Sequence, residues 1–199
     1  MRITALTYDS RKNHMIIATD GGRDFVLGFE DYAARKSLYV QGSELDGELI
    51  EATEWLESKI LARDKALNSL SYSAKSSRAL IKVLTDHGFD GEIAKKTVLD
   101  LKKEGYIDEK EHCRRCAELC VSKGYGPLRI RSELMKKGFT SRMIEYTLEN
   151  TDADFEENLR TLMKKKKDKS SDYGAIYRYF YTRGYNGGMI ADVYHEIFG

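Results

Sequence analysis

The stretch from Leu134 to Thr140 reads LMKKGFT. A glycine stands there between an apolar helical pattern and a residue suited to start another helix. The same arrangement recurs at Leu84 to Asp90, LTDHGFD, and at Phe180 to Asn186, FYTRGYN, so Gly88, Gly138 and Gly184 lie 50 and 46 residues apart. Eight positions before each glycine stand Leu80, Ile130 and Ile176. Ile93, Met143 and Met189 follow, then Val98, Leu148 and Tyr194. Three copies of so many matched positions mark an internal repeat.

Each matched position has a physical reason. Glycine takes the left-handed conformation that ends a helix at C′, and the aromatic at C″ (Phe89, Phe139, Tyr185) folds back onto the residue four before the glycine. Asp90, Thr140 and Asn186 are good N-caps, so the chain turns at once into a second helix whose apolar stripe faces the first. Each unit is thus a helical hairpin, and a further helix precedes it. Asp108 with Glu111 and Thr151 with Asp154 are spaced as capping boxes for two of these leading helices. The spacing predicts three modules of three helices, over residues 46–105, 108–150 and 152–198, stacked into an elongated curved rod. Pro127, the chain's single proline, fits the first turn of the middle helix of the second module, where its missing N–H does no harm.

The composition agrees with a mostly helical, highly charged soluble chain: 41% hydrophobic and 33% charged residues in a length of 199. Apolar runs fall short of the roughly 20 residues that a spanning helix needs, and MRITALTYDSRKNH lacks the apolar core of a secretory signal, so a cytoplasmic location is expected. Charge is uneven. Residues 1–60 hold seven Lys/Arg against eleven Asp/Glu, net −4, whereas residues 61–199 carry net +5.

The N-terminal segment has a different texture. RITALTYD, HMIIATD and DFVLGF are short β-branched or apolar runs separated by DSRKN and Gly21-Gly22, which predicts a small antiparallel meander over residues 1–45. A short helix is expected from Glu30 to Leu38. Ser43 with Asp46 is spaced as a capping box for a long helix through EATEWLESKILARDKALNSL.

Taken in order, SSRALIKVLTDHGF, GYIDEKEHCRRCAEL and GPLRIRSELMKKGF, with the leading QGSELDGEL, resemble the bacterial RecX regulatory proteins over nearly the whole chain. The resemblance implies three tandem three-helix repeats and a protein that modulates the RecA recombinase. It would bind along the groove of the RecA filament on single-stranded DNA, in the setting of homologous recombination, DNA repair and the SOS response. A monomer with no cofactor and no membrane partner is expected. The chain departs from the family at His112, Cys113 and Cys116, where Phe, Ala or Tyr is common.

Cys113, Cys116 and Cys120 fall at i, i+3 and i+7 beside His112, and a C-x-x-C pair with a histidine has the makings of half a zinc site. The same spacing traces the buried stripe of an amphipathic helix, where free cysteine acts as a small hydrophobe, and core packing is the expected role. Catalysis is not expected either. His14, His87, His112 and His195 are scattered, and neither a nucleophile elbow nor a phosphate-cradling glycine loop is present.

The cations carry the functional expectation. Arg129, Arg131, Lys136 and Lys137 flank the apolar positions Leu128, Ile130 and Leu134; Arg78 and Lys82 stand on the corresponding helix of the first module, and Arg114 and Arg115 on the helix just upstream. Their recurrence predicts a basic stripe that follows phosphates or an acidic protein edge. The run Lys164 to Lys167, with Lys169, reads as a solvated helix end favoured by the C-terminal dipole. The alternative is a helical-repeat DNA-binding protein acting as a transcriptional regulator. The entry of TSRMIEYTLEN offers no Asn or Gln to base edges and brings an acid, Glu145, which disfavours sequence readout.

Overall fold

The computed structural model describes residues 1–167 and 172–199; Lys169 lies outside them. The fold is mainly helical, 62% helix with ten helices among the described residues, and begins with a three-stranded antiparallel sheet. The chain divides into two compact units, residues 1–73 with 80–104 and residues 74–79 with 105–199.

In the first unit β1 (Ile3–Asp9), β2 (His14–Thr19) and β3 (Phe25–Gly28) form a meander in the order β1-β2-β3, with a register shift between Ile3 and Ala5. A three-stranded sheet needs a second layer to bury its apolar face. Here Ile3, Met15, Ile17, Phe25 and Leu27 share a core with Tyr32, Tyr39, Leu45 and Leu56, the last from the long helix α2 (Gly47–Tyr72). The Tyr39 hydroxyl lies 3.0 Å from the buried Thr53 hydroxyl of α2. Arg23 bridges Glu54 and Glu57 on α2, and Glu57 also accepts from the Val26 N–H at 2.9 Å. α4 (Gly91–Lys103) packs on α2, and Arg63 donates to Glu104 at 2.9 Å.

Local chemistry differs from expectation at three starts. The helix after the sheet, α1 (Phe29–Ala33), spans five residues and gives way to turns before Leu38. Asp46 alone caps α2, accepting from the Leu49 N–H at 2.8 Å, because Ser43 spends its hydroxyl on the Val40 carbonyl at 2.7 Å. Asp154 likewise takes the cap of α8 (Phe155–Lys167), accepting from the N–H groups of Glu156 and Glu157, in place of Thr151.

The second unit holds α5 (Glu109–Ser122), α6 (Pro127–Lys136) and α7 (Ser141–Glu149), followed by α8, α9 (Tyr173–Thr182) and α10 (Gly187–Phe198). Cys113, Cys116, Ala117 and Cys120 of α5 meet Ile130, Leu134, Phe139 and Ile144 in one core. Leu159, Met163, Ile176, Phe180, Tyr185, Ile190 and Val193 make another, and Phe155 touches both. The boundary between the two units falls inside α3 (Ser77–Asp86).

All three repeated turns form as read. Gly88, Gly138 and Gly184 have φ of 87°, 87° and 88°. The N–H of Phe89, Phe139 and Tyr185 donates to the carbonyl of Leu84, Leu134 and Phe180 at 3.2, 3.3 and 3.2 Å, and each glycine N–H donates three residues back. This paired closure satisfies carbonyls that a helix end leaves open. Asp90, Thr140 and Asn186 cap the following helices through their side chains. Leu128 departs from the expected buried stripe and is 49% exposed, because it stands two residues from Ile130 and so on the other side of α6.

Candidate interaction surface

Within the second unit the repeated turns do more than end helices. The turn at Gly184 sits against the start of α6: the Gly126 N–H donates to the Arg183 carbonyl at 2.8 Å, and the Leu128 N–H to the Gly184 carbonyl at 3.1 Å. A Cβ on Gly184 would lie 2.3 Å from the Arg129 nitrogen, and one on Gly126 would lie 2.4 Å from the Gly184 oxygen. Both glycines are therefore set by close backbone approach, and at Gly184 this adds to the positive φ. The turn at Gly138 meets the start of α3 in the same way. Ser76, buried, donates its hydroxyl to the Lys137 carbonyl at 2.6 Å and accepts from the Ala79 N–H at 3.2 Å.

The eight cations named from the sequence fall into three groups. Arg129 belongs to the joint itself: its guanidinium lies over the Tyr125 ring at 4.5 Å and donates to the Thr182 carbonyl at 3.1 Å, with Glu133 at 3.8 Å. Five others have acidic partners. Arg131 forks onto Glu145 of α7 with bonds of 2.8 and 2.7 Å, Lys82 pairs with Asp86 at 2.8 Å and Lys136 with Glu133 at 3.2 Å. Arg114 and Arg115 share Glu111, whose carboxyl their hydrogen bonds push down to about 2, and Arg114 also reaches Glu118.

Arg78 and Lys137 remain. Both are exposed and have no ion pair among the described residues. The Gly138 joint brings them together, for Lys137 precedes the glycine and the Arg78 Cβ lies 3.2 Å from where a Cβ at residue 138 would sit. Exposed pairs such as Lys82–Asp86 contribute little to stability and exchange readily for another anion, whereas Arg78 and Lys137 need give up no partner.

The cysteine stripe is core, as its spacing suggests. Burial pushes all three thiols up, and at Cys113 the hydrogen bond accepted from the Thr147 hydroxyl at 3.3 Å opposes that rise without cancelling it. His112 stands edge-on to Phe139, with ring centroids 5.1 Å apart. Burial, then the nearby Lys137 charge, pull its pKa down. Such thiols are poor nucleophiles and poor metal ligands. No group of three or more His, Cys, Asp or Glu suited to a metal ion occurs among the described residues, nor is any helix among them long and apolar enough to cross a membrane. The sequence reading passed over one surface, the tyrosines of α9. Their spacing at Tyr173, Tyr177 and Tyr181 was the available signal.

Fold and surface together define a mainly helical protein whose capped hairpins present cations and rings. No protein-family model matches the chain. It is 28% identical over 183 residues to the regulatory protein RecX of Clostridium botulinum, covering 84% of this chain and 86% of that one. To the regulatory protein RecX of Legionella pneumophila it is 28% identical over 141 residues, which cover 68% of this chain and 94% of that relative. A crystal structure of regulatory protein RecX superposes with a TM-score of 0.75 at 20% identity, covering 96% of this chain and 98% of that chain. RecX from Lactobacillus salivarius superposes with 0.63 at 21%, covering 70% and 96%. The chain is thus similar over most of its length to regulatory proteins RecX, and its fold is RecX-like.

Proposed function

We propose that this protein binds the RecA recombinase filament on single-stranded DNA and holds down its recombination and ATPase activities. The helices would act as three modules, residues 46–105, 108–150 and 152–198, in a cytoplasmic monomer that needs no cofactor. The observation that carries this reading is the likeness to RecX regulatory proteins along 84% of the chain. The surface supports it: Arg78 and Lys137 form an unpaired cationic pair at a joint. Arg114, Arg115, Arg131 and Lys136 of the same unit add cations held in exchangeable pairs, while Arg129 holds the joint in shape, and Lys82 of the first unit keeps a like pair with Asp86. Sequence-specific reading of duplex DNA is disfavoured, since Glu145 on α7 is held by Arg131 where a base-reading helix would carry an amide or a cation.

The test combines purified recombinase, single-stranded DNA and nucleotide, with ATP hydrolysis and co-sedimentation as readouts. The wild type is expected to sediment with the filament and to slow hydrolysis. Arg78→Glu with Lys137→Glu is expected to weaken inhibition about tenfold while moving stability by less than about 0.5 kcal/mol, as exposed charge changes usually do. Each contact to a single-strand phosphate that is lost should flatten the slope of log affinity against log salt by about 0.7. A correctly folded double reversal that inhibits as well as the wild type would falsify the assignment of this pair. Failure of the wild type to engage the filament removes the function itself.

A further inference from the structure

We propose that His112 positions the Arg78–Lys137 pair and takes up a proton when an anion settles on it. This role rests on the reading of those two cations as a phosphate contact, and it adds the group that regulates them.

His112 touches both sides of the Gly138 joint. On one side its ring bonds the carbonyl of Lys75, in the segment that leads into α3. Nδ1 is buried with no partner among the described residues, so that bond runs through Nε2. On the other side the ring meets Phe139 edge-on, two residues from Lys137. Ser76, next to Lys75, donates to the Lys137 carbonyl at 2.6 Å, and the Ser77 N–H donates to Glu109 of α5 at 2.8 Å. One imidazole thus helps to hold the short lead that carries Arg78 against the turn that carries Lys137.

A second proton has one place to go. With Nε2–H donating to Lys75, the neutral ring leaves Nδ1 bare, and protonating it puts a half-buried cation beside others. Charge reaches the ring from Lys137 on the turn after α6 and from Arg115 and Glu109 on α5, while Lys75 and Arg78 stand on the lead into α3. Burial and then Lys137 act most strongly against the imidazolium. Arg115 is already paired with Glu111 at 2.7 Å, and burial keeps the Cys113 and Cys116 thiols uncharged. Lys137 is therefore the opposing charge that a ligand can cancel. A phosphate lying on Arg78 and Lys137 cancels it, and the proton on His112 becomes easier to hold. Linkage makes the effect mutual, so a protonated His112 tightens the anion by the same factor. Affinity should rise as pH falls through the pKa of His112 in the complex, and level off below its lower pKa in the free protein.

The probe is a labelled oligothymidylate, bound to the full chain at constant ionic strength and read by fluorescence anisotropy between about pH 5.5 and 8, where imidazole titrates. Wild-type affinity is expected to rise about threefold or more from the upper to the lower end, a modest coupling between neighbouring charges. His112→Gln keeps an amide that can donate to the Lys75 carbonyl but cannot titrate, and should lose the rise. In NMR spectra the imidazole signal absent from His112→Gln identifies His112, and its titration midpoint should move up when the strand binds. Lys137→Gln should move that midpoint up without any strand, a test that does not need His112→Gln to bind. Strand affinity that is flat with pH in the wild type overturns the proposal, as does an equal rise in His112→Gln, an unmoved His112 midpoint or a wild type that does not bind the strand. Any of these beside normal inhibition of the filament leaves the filament reading standing, with His112 a packing residue. A pH-linked strand affinity in a wild type that ignores the filament keeps the proton linkage and removes the filament reading.

Discussion

The turns at Gly88 and Gly184 are the same device in two settings. Both close a helix with a glycine at positive φ, 87° and 88°, and both send the next N–H back to the carbonyl of the residue four before the glycine. Around Gly88 a Cβ would meet nothing within 4 Å among the described residues, whereas at Gly184 it would strike the backbone of Arg129 at 2.3 Å. Gly138 stands between them, with the Ser76 hydroxyl at 2.8 Å. One local motif therefore serves as a plain helix stop at Gly88 and as a stop plus a docking surface at the other two positions. Backbone angle alone does not tell these uses apart.

Alanine at each glycine breaks the comparison apart. Gly184→Ala combines left-handed strain with a backbone clash that no side-chain rotation relieves, and should cost about 3 kcal/mol or more, read from denaturant midpoints at constant slope. Gly138→Ala meets a hydroxyl that can swing away at the expense of its bond to the Lys137 carbonyl, so about 2 kcal/mol is expected. Gly88→Ala should show the strain of the conformation by itself, about 1 kcal/mol. Equal losses at all three positions would show that the docking contacts carry no energy of their own.

The aromatic after each glycine sharpens the same contrast. Phe89 and Phe139 occupy it in two copies and Tyr185 in the third, where the ring is fully buried and its hydroxyl has no hydrogen-bond partner among the described residues. Burial raises the pKa of that phenol. Tyr185→Phe removes a desolvated oxygen and keeps the ring, so stability should rise by about 1 kcal/mol, visible as a higher melting temperature. A loss instead would mean that the hydroxyl is satisfied in solution.

The smallest effect concerns pH at the middle turn. The folded pKa of His112 is depressed, by burial first and by Lys137 second, while the unfolded imidazole titrates near 6.5. The unfolded chain therefore binds more protons once pH falls below about 6.5, and stability should decline from there towards the folded pKa. His112→Phe should flatten that part of the stability profile. The Gly184 turn, where Gly126 and not a histidine-bearing helix lies alongside, should be indifferent over the same range.

Much of the fold was legible because helix stops and caps are local. A glycine, the aromatic after it and the N-cap after that act within one turn of chain, so LTDHGFD, LMKKGFT and FYTRGYN carry their own geometry. Capping boxes were less dependable. A cap at Ser43 would start the helix three residues earlier than one at Asp46, and the loop in which Ser43 bonds back to Val40 decided between them. The cations were legible as residues but not as a surface. Nothing in the spacing of Arg131 reveals that Glu145 on the next helix will hold it, nor that Arg129 will reach across to Thr182.

The sequence by itself determined where the three repeated hairpins turn, which stripe of α5 is buried and that a β meander comes first, since each follows from backbone conformation or from apolar periodicity over a few residues. Tertiary structure alone decided which charges are free and which glycines are pressed against another backbone. Those depend on distances between segments some 50 residues apart, as between Arg129 and Thr182 at |i−j| of 53. A long side chain chooses its partner only after the helices have packed, and packing is fixed by the sum of many small apolar contacts that no short stretch of sequence contains.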